Sequence, residues 1–261
     1  MNARTLPYSR GHAAGRTGPQ HAVSEDQTRI LDGSHPGVAV QGRGCIYMVC
    51  DGVSSAPRGR EAAALMCARI DSFYDRFHQP AADSIVQIVS EADWELREWG
   101  RGQAACTLSL LWLAFGQAVV MHVGDSQVYR VRHGEVTRIT ETHKTGRSLG
   151  AYVGMGPKVA DVMHVWRDTL FEGDLFLMVT DGVTEVIPAD LLLDSWWATQ
   201  GSPQRAANAI IQEVILRGGT DDATALVVDV LGVETDLDFD PGRTFGPRSS
   251  ISNPPSGRGR F

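Results

Sequence analysis

Four times in this chain an apolar run meets an aspartate set in a turn. Asp51-Gly52 follows Met48-Val49-Cys50, and Gly124-Asp125-Ser126 follows Met121-His122-Val123. Asp181-Gly182 follows Leu175-Phe176-Leu177-Met178-Val179-Thr180, and Gly219-Thr220-Asp221-Asp222 precedes Ala223-Thr224-Ala225-Leu226-Val227-Val228. Singly, each is an ordinary turn, because Asp bonds its neighbouring backbone and Gly accepts positive φ. As a set they constrain the fold more sharply. Each apolar run reads as a buried strand, and a carboxylate at the end of a buried strand is costly to desolvate unless it is paired or binds a cation. Four such ends converging make an oxygen-ligand site for a hard dication, Mg²⁺ or Mn²⁺. Zinc does not fit, since the spacing of His and Cys lacks a zinc pattern, and His122, His133, His143 and His164 read as packing or surface residues.

The rest of the chain supplies layers for these strands. Residues 45–50 form a strand, and Ala62, Met66, Ile70, Phe73 and Phe77 recur at helical steps over residues 59–79. A second helix is expected over 82–99, ended by Gly100 and Gly102. Runs at 103–115, 118–123, 127–132 and 136–139 read as an antiparallel meander, followed by a Gly-rich loop at 142–157 and strands at 162–166 and 174–180. Pro188 and Ser202-Pro203 open helices reaching to 197 and 217, and a last strand covers 223–230. Two strand groups with paired helices imply a layered α+β domain. With 43% hydrophobic residues in 261, the chain has enough apolar material to fill it. A net charge of -7 repels a nucleic-acid backbone, so no nucleic-acid partner is expected. The N-terminus lacks an apolar signal region, and the longest apolar run, 108–123, is broken by Gly116-Gln117, so neither export nor a membrane span is indicated. Four cysteines without CxxC spacing read as buried thiols in a reducing, cytoplasmic setting. The domain is expected to occupy residues 1–231, with 232–261, rich in Asp, Gly, Pro, Ser and Arg, forming a disordered tail.

The ordered series Ser24-Glu25-Asp26, VCDGV, HVGDS, VTDGV and GGTDDAT resembles the metal-dependent protein phosphatases of the PPM, or type 2C, family in their bacterial form. The resemblance implies a four-layer α-β-β-α sandwich, two antiparallel sheets flanked by helix pairs, with the cations in a cleft at one end. It implies a serine/threonine phosphatase working with two Mn²⁺ or Mg²⁺ ions, and a weaker third, through direct hydrolysis by a metal-bridging hydroxide. Asp51 then stands for the bridging carboxylate, Gly52 for a carbonyl ligand, and Asp181 and Asp221 for ligands of one ion. Glu25 and Asp26 hold the place of the early acidic pair that orients water, and Asp125 that of the third-metal aspartate. Asp26, Asp51, Asp181 and Asp221 are thereby the candidate catalytic residues. The implied partners are a phosphorylated protein and an opposing bacterial serine/threonine kinase.

The sequence departs from the family pattern where phosphate binding is expected. His21 replaces the usual arginine and becomes the candidate phosphate contact, with Arg16 and Arg29 the nearby alternatives; Ser24 replaces Asn. Ser54-Ser55 stands in place of Gly-Gly after Asp51-Gly52-Val53, Asp222 in place of Asn, and the segment 140–154 is short for the family's flap. These changes leave a second reading open: a catalytically silent pseudophosphatase that binds a phosphoprotein or regulatory partner.

Overall fold

All six positions of Cys45–Cys50 are buried, which a strand manages only between two packed layers. The computed structural model, which describes residues 8–76, 80–146 and 148–233, shows what those layers are. In chain order the elements are β1 (Tyr8–Arg16), β2 (Gln27–Leu31), α1 (Pro36–Gln41), β3 (Cys45–Cys50), α2 (Gly59–Arg69), a 3₁₀ turn (Ile70–Phe73) and α3 (Ala81–Gly100). There follow β4 (Leu108–Ala114), β5 (Gln117–Val123), β6 (Gln127–Arg132), β7 (Glu135–Arg138), β8 (Lys144–Thr145), β9 (Ser148–Leu149), α4 (Val159–Val162) and β10 (His164–Thr169). The chain continues through β11 (Leu175–Val179), α5 (Asp181–Thr184), α6 (Ala189–Ala198), α7 (Pro203–Leu216) and β12 (Ala223–Gly232).

Two five-stranded antiparallel sheets, ordered β1-β12-β11-β6-β7 and β10-β5-β4-β3-β2, face each other. Strand alternation sends side chains both ways. Along β11, Phe176 and Met178 enter the core between the sheets with Met48 and Leu110, whereas Leu175, Leu177 and Val179 point outward under Leu192, Ile210 and Val214 of α6 and α7. On the far side Met66, Ile85, Ile88 and Val89 of α2 and α3 join the central core against the second sheet. The α-β-β-α order is therefore present as expected. Helix α7 starts as its sequence dictates, with Ser202 accepting a hydrogen bond from Arg205 N and Pro203 in the first turn, where its missing N–H is no loss.

The expected meander is corrected. β4 and β5 belong to one sheet and β6 and β7 to the other, so the chain changes sheets at Gly124-Asp125-Ser126. Residues 103–107 lie before the strand, which begins at Leu108. The helix expected over 59–79 stops at Arg69 and tightens into the 3₁₀ turn; Phe77 lies outside the described residues, as does the tail beyond Val233.

Glycine matters most where two acidic turns touch other backbone. A Cβ built on Gly182 would lie 1.9 Å from the Asp222 carbonyl oxygen, and one on Gly52 would lie 2.5 Å from the Gly59 carbonyl carbon. Gly182→Ala should therefore destabilise the fold by about 1–3 kcal/mol, because the obstacle is backbone and cannot rotate away. Gly33→Ala, with open space around it, should stay within about 0.5 kcal/mol of the parent in urea unfolding. Equal effects at the two positions would refute the close approach of the two turns.

Candidate active site

The sheet change at the β5–β6 turn brings strand ends of both sheets to one edge of the sandwich. There Asp51, Gly52, Asp125 and Asp181 line a cleft of about 780 Å³, with Ser54, Ser55 and Lys144. Asp51 directly follows β3, Asp125 sits in the β5–β6 turn, and Asp181 opens α5 directly after β11. Thr107 ties the first two together. Its N–H donates to the Asp51 carbonyl (2.7 Å), its Oγ1 accepts from Asp51 N (3.0 Å), and the same Oγ1 lies 3.0 Å from Ser126 Oγ.

Asp26 lies just before β2 and lines an adjoining groove with Ser24, Thr28 and Thr224. Thr180 Oγ1 donates to Asp26 Oδ2 (2.9 Å) and accepts from Thr224 N (2.9 Å), so the residue before Asp181 also fixes Asp26. Among the described residues, neither the buried Asp26 Oδ1 nor the buried Glu25 Oε2 has a hydrogen-bond partner. Asp221 flanks Asp181: its Cβ would be 3.3 Å from a Cβ on Gly182, and its Oδ1 accepts from Asp222 N (2.8 Å).

His21 is held away from a free phosphate-contact role on its Nδ1 side, which lies 2.8 Å from Asp222 Oδ2. Asp222 also accepts from Gly18 N and Glu25 N, both at 2.7 Å, and so organises the loop that carries the early acidic pair. The bond to Asp222 raises the His21 pKa above its ordinary value. Arg29 is committed to Asp71 through two hydrogen bonds, and Arg16 Nη1 donates to the Gly219 carbonyl.

The electrostatics of this edge are those of crowded, partly buried carboxylates. Burial raises Asp26 to about 7 against the pull of the Thr224 and Thr180 hydroxyls. Burial, then the charges of Asp26, Asp181 and Asp125, raise Asp51 well above the usual carboxylate range. Asp181 rises to about 6, again through burial first and Asp125 second. Among the described residues, Asp51 has no cationic side chain within ion-pair distance, whereas Lys144 Nζ stands 2.8 Å from Asp125 Oδ2 and 3.5 Å from Asp181 Oδ2.

The sequence model of the protein phosphatase 2C family matches residues 19–217. The chain belongs to the protein phosphatase 2C family. Among family relatives it is similar to the serine/threonine protein phosphatase PstP of Mycobacterium tuberculosis, at 23% identity over 228 residues, 76% of this chain. It spans only 42% of that relative's length. Of the solved structures, PppA, described as a key regulatory component of T6SS in Pseudomonas aeruginosa, superposes with a TM-score of 0.69 at 22% identity, covering 87% of this chain and 99% of that one. The catalytic domain of PstP in complex with two manganese ions superposes at 0.68 with 21% identity, covering 85% and 98%. These likenesses establish the shared phosphatase 2C fold.

The donor set suits the dications of a phosphatase 2C site. It is all oxygen, it includes the unpartnered buried Asp26 Oδ1 and Glu25 Oε2, and it carries charge that the protein leaves largely unbalanced. The carboxylates converge without closing into a coordination shell: among the described residues no group of three or more His, Cys, Asp or Glu is gathered tightly enough to hold a metal. Among those residues, too, no helix is long and apolar enough to cross a membrane. Several residues that shape the site escape the sequence reading. Thr180 and Thr224 carry a weak signal, since each stands beside an acidic motif on neighbouring strands; Thr107 and Lys144 carry none.

Proposed function

We propose that the chain is a Mn²⁺- or Mg²⁺-dependent phosphatase of phosphoserine and phosphothreonine in proteins. The observation that carries this reading is the meeting of Asp51, Asp125 and Asp181 in one cleft of a phosphatase 2C fold, with Asp26 beside them. Asp51, the Gly52 carbonyl, Asp181 and Asp221 would hold two cations. Cations held there would supply Lewis acidity, acidifying water and offsetting charge on the phosphoryl oxygens. Asp26, fixed by Thr180 through Oδ2, presents Oδ1 as the free acceptor for the proton of the attacking water, and Glu25 supports it from the same loop. Thr107 and Ser126 hold the turns that carry Asp51 and Asp125 in place, so the cleft would position the ester and water without a protein nucleophile. His21, held by Asp222, is the candidate phosphate contact through its other ring nitrogen, supplying one hydrogen bond where a guanidinium would supply a charged fork.

The reading extends to a phosphoprotein substrate and an opposing kinase in the cytoplasm, and the four buried free cysteines accord with a reducing compartment. The test is hydrolysis of an aryl phosphate and of a phosphothreonine peptide with Mn²⁺, with Mg²⁺ and with EDTA. Turnover of both esters only with added cation is expected. Mn²⁺ binding without turnover would make the chain a silent phosphoprotein-binding member of its family.

A further inference from the structure

The short excursion between β7 and β10 does more than connect two strands, because it is fastened to the acidic turn it faces. His143 N donates to the Gly124 carbonyl (2.8 Å), and Gly124 N donates back to His143 Nδ1 (3.1 Å). The fully buried His122 braces the same carbonyl from Nε2 (3.1 Å), is held at Nδ1 by Ser109 (2.9 Å), and stacks on His143 with ring centroids 5.4 Å apart. Gly150 N closes the hairpin on the His143 carbonyl (2.6 Å). The residue after His143 is Lys144, so its backbone is set by three rings of contact around the neighbour of Asp125. Its ammonium reaches both Asp125 and Asp181, at 2.8 and 3.5 Å.

We propose that Lys144 is a tethered cation that spans Asp125 and Asp181 and takes the place of a metal ion there, so that the loaded protein holds two dications and not three. This rests on the two-ion reading above and deepens it. The residue type fits the task. Lysine occurs only at 144 and 158 in a chain that otherwise uses arginine for its permanent positive charges. An ammonium is a compact point charge with three donors, able to sit between two carboxylates as a small ion does, whereas a guanidinium presents a planar fork suited to one carboxylate at a time. Asp125 holds the ammonium by a direct 2.8 Å contact to Oδ2. A third ion would have to displace a charge whose stem is anchored within one residue of the Gly124 clamp. Asp51, by contrast, has no such cation within reach among the described residues, which leaves the Asp51 side of the cleft open for metal.

The test counts ions. The full chain, stripped with EDTA and dialysed, is titrated with Mn²⁺, free Mn²⁺ being read by its electron paramagnetic resonance signal. Wild type should saturate at two ions per chain, and both Lys144→Met and Lys144→Gln at three. Lys144→Met combined with Asp125→Asn should return to two, because the vacated position then lacks its carboxylate. Two substitutions of different polarity guard against one of them failing to fold, and circular dichroism checks each. A wild type that itself takes three ions, or Lys144 variants that remain at two, would overturn the proposal while leaving the two-ion reading intact. A wild type that takes none would overturn both.

Discussion

Asp51→Asn should lower cation-dependent ester hydrolysis by at least about 10³-fold, on the scale of losing a preorganised charge at a reacting centre, while raising the melting temperature of the cation-free protein. The two halves follow from one feature. Asp51 is desolvated beside Asp26, Asp181 and Asp125, and with no ion present its charge meets only like charges. Replacing it with the isosteric amide removes that repulsion, and the backbone bonds to Thr107, which hold the turn, do not involve the carboxylate. The folded state is therefore relieved. Under the proposed function the same change would also remove a carboxylate that holds the cations, and with it part of their affinity. A merely structural aspartate would give the opposite pair of results, with loss of stability and turnover falling only as protein unfolds. Turnover within tenfold of wild type would refute the assignment of Asp51 to the ions. Asp125→Asn should cost less turnover than Asp51→Asn, since Lys144 already neutralises Asp125.

How much of this was legible in sequence depended on whether a residue acts through a local pattern or through a distant partner. The acidic ends of β3, β11 and β12 announced themselves because a continuous apolar run must stop where the chain meets solvent, and Asp-Gly is how it stops. α2 and α3 followed from periodicity, and α6 and α7 from the prolines that open them. β1, in contrast, was not foreseen. Tyr8–Arg16 carries two glycines and few β-branched residues, and it becomes a strand by pairing with β12 along its whole length. Gly11 is small there because a Cβ would lie 2.5 Å from the Tyr47 ring, a fact set by the opposite sheet. The meander misled for a related reason: alternation tells which face a side chain takes, but not that the chain crosses between sheets at Asp125. Lys144 was invisible in the same way. Nothing in the run Thr142-His143-Lys144-Thr145 marks a charge reaching Asp181, 37 positions on, until the hairpin is folded against Gly124. The His21 loop is partly legible: a histidine where the family pattern has arginine is plain in the sequence, but its tie to Asp222 requires the loop 17–26 to close on the β12 turn.

The pH dependence of stability should reverse sign when the cations are removed. Asp26 and Asp181 have folded-state pKa values raised to about 7 and about 6, and burial also raises Asp51 well above the usual carboxylate range, against an ordinary value near 4 in the unfolded chain. Between those limits the folded protein binds more protons than the unfolded one, so stability must fall as pH rises. His122, lowered to about 3 by burial and then by His143, and His143, also lowered, work in the other direction. Their stabilising contribution is lost as pH drops through the ordinary histidine value, and it is largely complete only above about pH 7. From about pH 7 to 8, above the ordinary histidine value and below that of the buried thiols Cys45 and Cys50, the carboxylates set the trend, with His21 adding to it because its raised pKa makes its contribution vanish as pH climbs. In EDTA the melting temperature should decline steadily across that window. At saturating Mn²⁺ it should hold or rise, since ions that bind only the folded, deprotonated site gain affinity as protons leave. Asp51→Asn in EDTA should flatten the decline by removing one of these raised carboxyl groups. A melting temperature that climbs with pH in EDTA as it does in Mn²⁺ would mean that these carboxylates are already balanced within the protein, and that the cleft has no unmet charge for dications to satisfy.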